Sequence, residues 1–336
     1  MSNYHTPVLL KETMEFLNIQ KDSWYIDATL GGGGHTEEIL KKGGKVIGID
    51  QDPDAINAVK TNLSKYSDNL ILQQGNFSEL KSVIAQQKAG GVIAIRQNAG
   101  EAISKNKTDS GSRISSLESP QDSLQSGMTV SGILFDLGVS SHQLDTPERG
   151  FSFSKDAPLD MRMNPTFGAT AADLINGLHE GELAELFEKL GEERFAKRIA
   201  KKIVETRKSK KIETTSELAN IVRLAIHRPR SSTSGVEAQI HPATKVFQAL
   251  RIAVNDELNA LKESLPQALD LLSPGGRLVV ISFHSLEDRI VKNFYKDAEA
   301  AGTGKILTPK PIMATLDEQY DNPRSRSAKL RTIVKL

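Results

Sequence analysis

The chain has 336 residues, a formal net charge of +1 at pH 7 and no cysteine. This length allows about two domains, and the near-neutral charge by itself implies no polyanionic partner. The lack of thiols excludes disulfides and thiolate metal sites, and we predict no metal site. It also disfavours methylation of carbon 5 of a pyrimidine, because enzymes generally activate that ring with a cysteine nucleophile.

No apolar run approaches the roughly 20 residues that a helix needs to cross a bilayer. The N-terminal stretch carries acidic and polar residues inside its apolar part, which argues against a signal peptide. We therefore expect a cytoplasmic protein without membrane contacts. Apolar residues within 8–17 recur with helical spacing and predict a first helix.

The segment 24–52 predicts a strand, a glycine turn, a helix and a second strand. Residues 24–26 favour a strand, Gly31–Gly34 form the turn, a helix follows over 35–42, and the second strand covers 45–49. Asp50 lies at the end of this second strand. In open α/β sheets, ligands bind at the carboxyl ends of strands beside the first βα turn, and an acid after the second strand suits ribose hydroxyls.

The composition of this turn narrows the choice of nucleotide-like ligand. No Lys-Ser or Lys-Thr pair follows the glycines, and Thr36 stands where a dinucleotide fingerprint requires glycine or alanine. No Arg or Lys lies in the turn to bind a pyrophosphate. S-adenosylmethionine, which has a ribose but no phosphate, fits best. A purely structural turn is the alternative, and the position of Asp50 favours the ligand.

The following segments continue the alternating pattern. Asp52 and Pro53 suit the N-cap and first position of a helix. A third strand is predicted over 70–73, and Phe77 after it could pack on an adenine ring or belong to the core. Residues 96–128 are rich in Ser, Asn, Gln and Gly, so we predict a disordered surface loop without chemistry.

A fourth strand is predicted over 130–135, and Asp136 follows it. A carboxylate at the end of a central strand lies beside the cofactor crevice, although a turn or capping aspartate would look the same. The segments 150–153 and 158–163 mix aromatic, acidic and Arg residues without periodicity. Either could be a substrate-binding or a structural loop.

Residues 170–264 show helical periodicity throughout. The stretch 194–211 has one apolar face, and its other face is basic, with Glu205 as its only acid. Such a face suits a phosphate backbone, although a charged face is more often simply solvated. Arg223, Arg228 and Arg230 extend this basic surface, and 228–235 is predicted to be a mobile loop.

The last part of the chain returns to sheet. A helical stretch over 242–272 should kink or break at Pro266, and a strand follows over 277–282. Residues 285–288 read as a capping box that begins another helix, and His284 before it could face substrate. The tail after residue 322 is basic and has no acid, and 330–334 reads as an edge strand.

These elements predict an α/β fold, namely a Rossmann-like S-adenosylmethionine-dependent methyltransferase sheet with an inserted all-helical substrate domain. We assign residues 1–143 to the first part of the methyltransferase domain, 144–245 to the inserted helical domain and 246–336 to the second part of the methyltransferase domain.

Motifs along almost the whole chain resemble the MraW family, the bacterial 16S rRNA cytosine-N4 methyltransferases. The matching segments are His5–Val8, Asp27–His35, Gly48–Asp50, Phe135–Ser141, Gly150–Phe153, Pro158–Met163, Gly191–Ile199, His241–Val254, Ser282–Lys292 and Asn322–Arg331. The segment 96–128 departs from the family, which usually has a short connection there, but the motifs on both sides of it are intact.

The resemblance implies S-adenosylmethionine-dependent methylation of the exocyclic N4 of one cytidine in the decoding region of 16S rRNA. The partner would then be 16S rRNA or the small ribosomal subunit. A homodimer is compatible with the sequence, which does not set the oligomeric state. The family's cofactor-binding positions correspond to Gly33, Gly34, His35, Asp50, Phe77, Asp136 and Gln143.

Asp136 is also the candidate catalytic residue, as an acceptor for the amine N–H. Many exocyclic-amine methyltransferases have an Asp/Asn-Pro-Pro-aromatic motif after strand four, whereas this chain has Asp136-Leu-Gly-Val. The base-stacking aromatic must then come from Phe151, Phe153 or Phe283. The candidates for other contacts with RNA are Arg194, Lys197, Arg198, Lys201, His284, Arg324 and Arg326.

Two other classes of function remain open at this stage. A methyltransferase acting on DNA or on a protein side chain would have the same cofactor site. A non-catalytic RNA-binding assembly factor could keep the fold without turnover, although the intact glycine turn and Asp50 argue against it.

Overall fold

The computed structural model describes residues 7–89, 130–166, 168–226 and 241–336, with the side chains of 86–89 left out. The predicted disordered loop 96–128, the predicted mobile loop 228–235 and the residues His5, Arg228 and Arg230 lie outside the described residues.

The described strands form one mixed sheet in the order β3-β2-β1-β4-β5-β8-β6, and β7 pairs with β8. The first five strands are parallel, whereas β8 is antiparallel to β5. Neighbours β1 and β4 mark the point where the strand order reverses, which is where open α/β sheets form a ligand crevice. The strands are β1 (Trp24–Asp27), β2 (Lys45–Asp50), β3 (Leu70–Gln74), β4 (Val130–Asp136), β5 (Leu272–Ser282), β6 (Gly304–Ile306), β7 (Ile312–Met313) and β8 (Lys329–Lys335).

Helices cover both faces of this sheet and form a separate unit between β4 and β5. They are α1 (Leu10–Leu17), α2 (Gly34–Lys41), α3 (Pro53–Asn62), α4 (Leu80–Ala89), α5 (Ser141–Asp145), α6 (Ala171–Gly177), α7 (Glu180–Gly191), α8 (Ala196–Arg207), α9 (Thr215–Ile226), α10 (Thr244–Asn255), α11 (Glu257–Leu271), α12 (Ser285–Ala300) and α13 (Leu316–Asp321). Short 3₁₀ turns cover Ser64–Asn69, Phe77–Glu79, Pro147–Arg149 and Pro323–Ser327. None of the described helices is both long and apolar enough to span a bilayer.

Three hydrophobic clusters correspond to these layers. Helices α4, α11 and α12 pack on one face of the sheet, and α1, α2 and α3 pack on the other. Helices α6–α10 enclose their own core, in which Phe187, Ile199 and Leu250 are fully buried. This architecture confirms the predicted α/β class. The predicted boundary at residue 245 lies inside α10, which supplies Val246 and Phe247 to the helical core.

Two sequence-based expectations for the C-terminal part were wrong. The strand over 330–334 is not an edge strand, because β8 lies between β5 and the short strands β6 and β7. The helical stretch breaks at Asp256, which adopts a left-handed conformation with φ 49°, and Pro266 lies inside α11. Glu257 begins α11 directly after this break, and so can fold back onto the end of α10.

Candidate active site

A cavity of about 290 Å³ opens at the carboxyl ends of the parallel strands. Its walls combine the glycine turn after β1, Asp50 after β2, Phe77 after β3 and Asp136 after β4. Side chains from α10, α11 and the start of α12 close the other side. The cavity therefore lies at the switch point of the sheet and reaches towards the helical unit.

The glycine turn brings bare backbone to this cavity. Gly31, Gly32 and Gly34 line it. A Cβ on Gly34 would lie 2.3 Å from Cγ of Pro7, so no larger residue fits there. Gly33 has a φ of +78° and is the N-cap of α2, and a Cβ on it would lie 2.8 Å from a methyl group of Val59. Of the two glycines predicted for cofactor binding, Gly34 therefore lines the cavity, whereas Gly33 shapes the turn.

Asp50 lies where the sequence predicted it, at the end of β2 with its side chain on the cavity. One carboxylate oxygen accepts the amide of Gly31 at 2.8 Å, and the other accepts the amide of Asp52 at 2.9 Å. Each oxygen keeps a further lone pair for a ligand hydroxyl. Burial is the largest influence on this carboxyl and raises its pKa to about 6, despite the two amide hydrogen bonds.

Asp52 has the capping role that the sequence indicated, since it accepts the amide of Asp54 at the start of α3. Its other carboxylate oxygen accepts the side-chain amide of Gln143 at 2.8 Å and lies 2.9 Å from Nη1 of Arg149. Gln143 also forms a capping box with Ser140 at the start of α5. Gln143 lines the cavity and holds the loop after β4 against the loop after β2.

Asp136 and His35 face each other across the cavity floor. Nδ1 of His35 lies 3.5 Å from Oδ2 of Asp136, and its Nε2 lies 3.1 Å from the carbonyl oxygen of Val8. Among the described residues, the buried Oδ1 of Asp136 has no hydrogen-bond partner. Burial, followed by the charges of Asp27 and Glu287, raises the pKa of Asp136 well above its ordinary value. A cationic ligand beside the Asp136 carboxyl would stabilise its ionised form.

The aromatic candidates separate clearly. Phe77 lines the cavity and packs edge-on against Phe135, with ring centroids 5.6 Å apart. Phe283 also lines it. Phe151 is buried in the core of the helical unit, and Phe153 packs between His241 and Phe247. Of the three aromatics considered for base stacking, only Phe283 lies on the cavity.

The start of α12 differs from the predicted capping box by one residue. The N-cap is His284, and Glu287 is the residue that completes the box. Oε2 of Glu287 accepts the amides of Phe283 at 2.8 Å and His284 at 3.3 Å. Ser285 is freed by this arrangement and donates to Glu192 instead. His284 is consequently occupied in ending the loop, with only 9% of its side chain exposed.

Three charged residues on the cavity were not predicted from the sequence, namely Arg251, Glu257 and Glu287. Arg251 donates from Nε and Nη2 to the two carboxylate oxygens of Glu257, both at 2.8 Å, and its Nη2 lies 4.0 Å from Oε1 of Glu287. Only Glu287 could have been found from the sequence, because it stands three residues after His284, which is the spacing of a capping box. Arg251 and Glu257 gave no signal, because their pairing depends on the break at Asp256.

The basic candidates lie on two surfaces. Arg194, Lys197, Arg198 and Lys201 are exposed at and just before α8. Lys197 lies beside Glu180, Glu185 and Glu188 of α7, so this basic face has acidic neighbours that its own helix did not reveal. Arg207, at the end of α8, has a structural role instead, because its guanidinium donates to the carbonyl oxygens of Ile175 and Leu178.

Arg324 and Arg326 lie in the 3₁₀ turn before β8. Arg324 lines the cavity, where it donates to Ser141 and to Oδ1 of Asp145, the latter at 3.0 Å. Arg326 is exposed. The first of these two predicted RNA-binding residues is therefore at the cavity itself, and the second is on the adjoining surface.

The cavity fits S-adenosylmethionine on three grounds. Its glycine end offers backbone to a ligand and has no Lys or Arg, as expected for a ligand without phosphate. Each carboxylate oxygen of Asp50 accepts one backbone amide and keeps a lone pair, which suits the hydroxyls of a ribose. Asp136 provides a buried carboxylate oxygen without a partner, which suits a positively charged sulfonium.

The strand order and this cavity define a Rossmann-like enzyme of the methyltransferase class. The model of the MraW methylase family matches residues 2–336, and the chain belongs to this family. The ribosomal RNA small subunit methyltransferase H of Heliobacterium mobile is 44% identical, and the alignment covers 100% of each chain. The protein of the same name from Carboxydothermus hydrogenoformans is 42% identical, with 99% of this chain and 98% of its own covered. The cofactor is S-adenosylmethionine.

A solved structure of a Streptococcus mutans protein in complex with SAH is 12% identical, with a TM-score of 0.42. The alignment covers 99% of this chain and 100% of that chain. A TM-score of this size carries no weight, and the fold assignment rests on the order and direction of the strands.

Proposed function

We propose that this protein methylates the exocyclic N4 of one cytidine in the decoding region of 16S rRNA. The relatives named ribosomal RNA small subunit methyltransferase H support an rRNA substrate. The observation that carries the choice of an amine acceptor is Asp136, a strand-end carboxylate on the cavity with one buried oxygen that lacks a partner among the described residues.

S-adenosylmethionine supplies a methyl group on a positively charged sulfur. Cytosine N4 is a poor nucleophile, because its lone pair is delocalised into the ring. A carboxylate that accepts the N–H bond can hold the amine in an attack geometry. The nitrogen loses one proton when it gains the methyl group, and in this proposal Asp136 accepts that proton and releases it to water.

The raised pKa of Asp136 is compatible with this role. In the free protein, burial favours the protonated carboxyl. A cation placed next to this carboxyl favours the ionised form, so the acceptor becomes available when the cofactor site is filled. Binding of the methyl donor would therefore shift the Asp136 carboxyl towards its ionised form.

The surrounding basic residues are suited to phosphates rather than to bases. Arg324 at the cavity mouth and the exposed Arg and Lys residues of 194–201 would hold the RNA backbone. An unpaired target base could enter directly, whereas a paired one would have to be extruded.

The test is methyl transfer from labelled cofactor to small ribosomal subunits that lack the modification, followed by identification of the methylated nucleoside. The wild-type protein should produce N4-methylcytidine, and Asp136→Ala should lose most of the transfer. Parallel assays with DNA and with total protein separate the alternative substrates. Full activity of Asp136→Ala would remove Asp136 from the chemistry, and label in DNA or protein alone would refute the rRNA substrate.

A further inference from the structure

A cluster of charges on the cavity takes no part in the proposed methyl transfer. Arg251, Glu257 and Glu287 line the cavity, and the side chain of Glu287 is 3% exposed. Buried charges are costly and are retained where they are paired or used. Arg251 forms two hydrogen bonds with Glu257, whereas Oε1 of Glu287 lies 4.0 Å from Arg251 and 3.1 Å from Nε2 of His284.

We infer that Glu287 and Arg251 read the amine edge of the acceptor base, so that the cavity accepts a base with an exocyclic amine beside a ring nitrogen and rejects one with a carbonyl group there. This inference rests on the proposed function, because it assigns the acceptor half of the same cavity.

The carboxylate of Glu287 is fixed in position. Its Oε2 accepts two backbone amides at the start of α12, which prevents rotation of the carboxylate. Its Oε1 lies 3.1 Å from Nε2 of His284, without the alignment of a hydrogen bond. Oε1 is therefore a preorganised acceptor for an N–H donor that enters the cavity.

The charge of Glu287 is maintained by its surroundings. Burial alone would raise the pKa of this carboxyl, yet the pKa lies below its ordinary value. The contact with the His284 imidazole, the guanidinium of Arg251 and the amide of Phe283 together favour the ionised form. An ionised carboxylate accepts an N–H bond more strongly than a neutral acceptor does.

Arg251 is held in an equally defined orientation. The left-handed Asp256 separates α10 from α11, and Glu257, the next residue, accepts hydrogen bonds from Nε and Nη2 of Arg251. Neither of these hydrogen bonds uses Nη1. Nη2 lies 4.0 Å from Oε1 of Glu287, so the planar guanidinium presents its donor edge beside that oxygen.

A carboxylate acceptor beside a guanidinium donor matches cytosine. The N4 amine of cytosine donates, and a carboxylate is a preferred acceptor for it, while the ring N3 accepts. Uracil reverses both groups, so its O4 would face the carboxylate and its N3–H would face the guanidinium. Adenine presents the same pair as cytosine, and a cavity of about 290 Å³ that also holds the cofactor favours the smaller ring.

Phe283 completes the acceptor site with an apolar ring surface. Phe283 lies between β5 and the N-cap of α12, and it lines the cavity. Gly138, with a φ of +100°, allows the loop after β4 to approach it, and a Cβ there would lie 3.6 Å from the ring. An aromatic face of this kind suits stacking of a base.

Two carboxylates from different elements then meet at one amine. Asp136 ends β4, Glu287 lies in the first turn of α12, and both residues line the cavity. Each can accept one of the two N4 hydrogens. Glu287 is thus a residue for recognition and positioning, and Asp136 remains the acceptor of the departing proton.

The test compares wild-type protein with Glu287→Gln in methyl transfer to unmodified small subunits at saturating cofactor. Glutamine can still accept backbone amides through its oxygen, but it offers no charge, and its NH₂ group opposes an amine. We expect kcat/KM to fall about 10- to 100-fold, the usual effect of losing a hydrogen bond to a charged group. Cofactor affinity, measured by calorimetry, should stay within about 2-fold.

The matched control is Glu192→Gln, because Glu192 binds Ser285 and Arg289 at the same helix start but does not line the cavity. This control should leave kcat/KM and cofactor affinity unchanged. Arg251→Lys keeps the charge and removes the planar fork, and we expect it to raise KM for the subunit.

Two results would overturn the inference. Wild-type kcat/KM in Glu287→Gln would show that Oε1 does not read the base. A parallel loss of cofactor affinity in Glu287→Gln would show that the residue only supports the fold. If the wild-type protein itself transfers no methyl group to cytidine, the proposed function fails and this inference falls with it.

Discussion

Nδ1 of His35 lies 3.5 Å from Oδ2 of Asp136, so the first full turn of α2 contacts the acid at the end of β4. The other ring nitrogen lies 3.1 Å from the carbonyl oxygen of Val8. Because a carbonyl oxygen needs a donor, Nε2 carries a proton, and Nδ1 can accept a proton from Asp136 or share one with it. His35 thereby links the glycine turn, the N-terminal segment and the carboxylate at the cavity floor.

This contact predicts that His35→Ala weakens cofactor binding. Without the imidazole, the Asp136 carboxyl loses the contact with Nδ1 of His35 and the turn loses its contact with the carbonyl oxygen of Val8. We expect the dissociation constant of S-adenosylmethionine to rise about 10-fold, as for one charge-assisted hydrogen bond. Calorimetric titration measures this, with His179→Ala on the helical unit as control. Unchanged affinity in His35→Ala would show that the contact is incidental.

The buried carboxyl of Asp27 should make the free energy of unfolding fall as the pH rises from about 4 to 6. Its carboxyl is 1% exposed, and burial raises its pKa to about 6, although Thr36 and the amide of Thr29 donate hydrogen bonds to it. The folded pKa lies above the unfolded value, so the stabilising contribution is complete below about pH 4. It is lost as the pH rises towards 6, at up to about 1.4 kcal/mol per pH unit.

Asp27→Asn removes this titration and keeps the possibility of both hydrogen bonds. We expect its free energy of unfolding to change less steeply than that of the wild-type protein between pH 4 and 6, and to be equal or higher at pH 7.5. Urea unfolding at several pH values gives the difference. Identical slopes for the two proteins would show that Asp27 is ionised throughout in the folded protein.

Substitution of Arg324 tests whether its positive charge contributes to binding of the RNA backbone. It lines the cavity, and its guanidinium also contacts Ser141 and Asp145. Arg324→Ala should raise KM for small subunits by about 3- to 10-fold with little change in kcat, and should lower the slope of log affinity against log salt by about one. Lys189→Ala, an exposed residue of α7 paired with Glu185, is the control. An unchanged salt slope in Arg324→Ala would mean that this residue does not contact phosphate.

The parts of the site formed by local pattern could be predicted from the sequence. Asp50 and Asp136 each end an apolar strand, and parallel strands bring their carboxyl ends to one edge, so their meeting follows from the alternation of strands and helices. The glycine turn and the Asp52 cap are equally local. These features explain why the fold class was predicted correctly.

The remaining parts depend on contacts between distant segments. Arg251 looks like one polar residue of an amphipathic helix, and its pairing with Glu257 depends on the break at Asp256. Phe151 and Phe153 resemble binding-loop aromatics in sequence, but Phe151 is buried in the core of the helical unit and Phe153 packs against that core. Strands β6 and β7 have three and two residues, too few for a periodicity signal, so β8 looked like an edge.

The central claim is that the glycine turn and Asp50 together hold the cofactor. Calorimetric titration of wild-type protein and Asp50→Ala with S-adenosylmethionine tests it most directly. We expect binding at one site in the wild-type protein and an affinity at least about 10-fold lower in Asp50→Ala, since two ribose hydroxyls lose a charged acceptor. No binding by the wild-type protein, or equal affinity in the two proteins, would contradict the account.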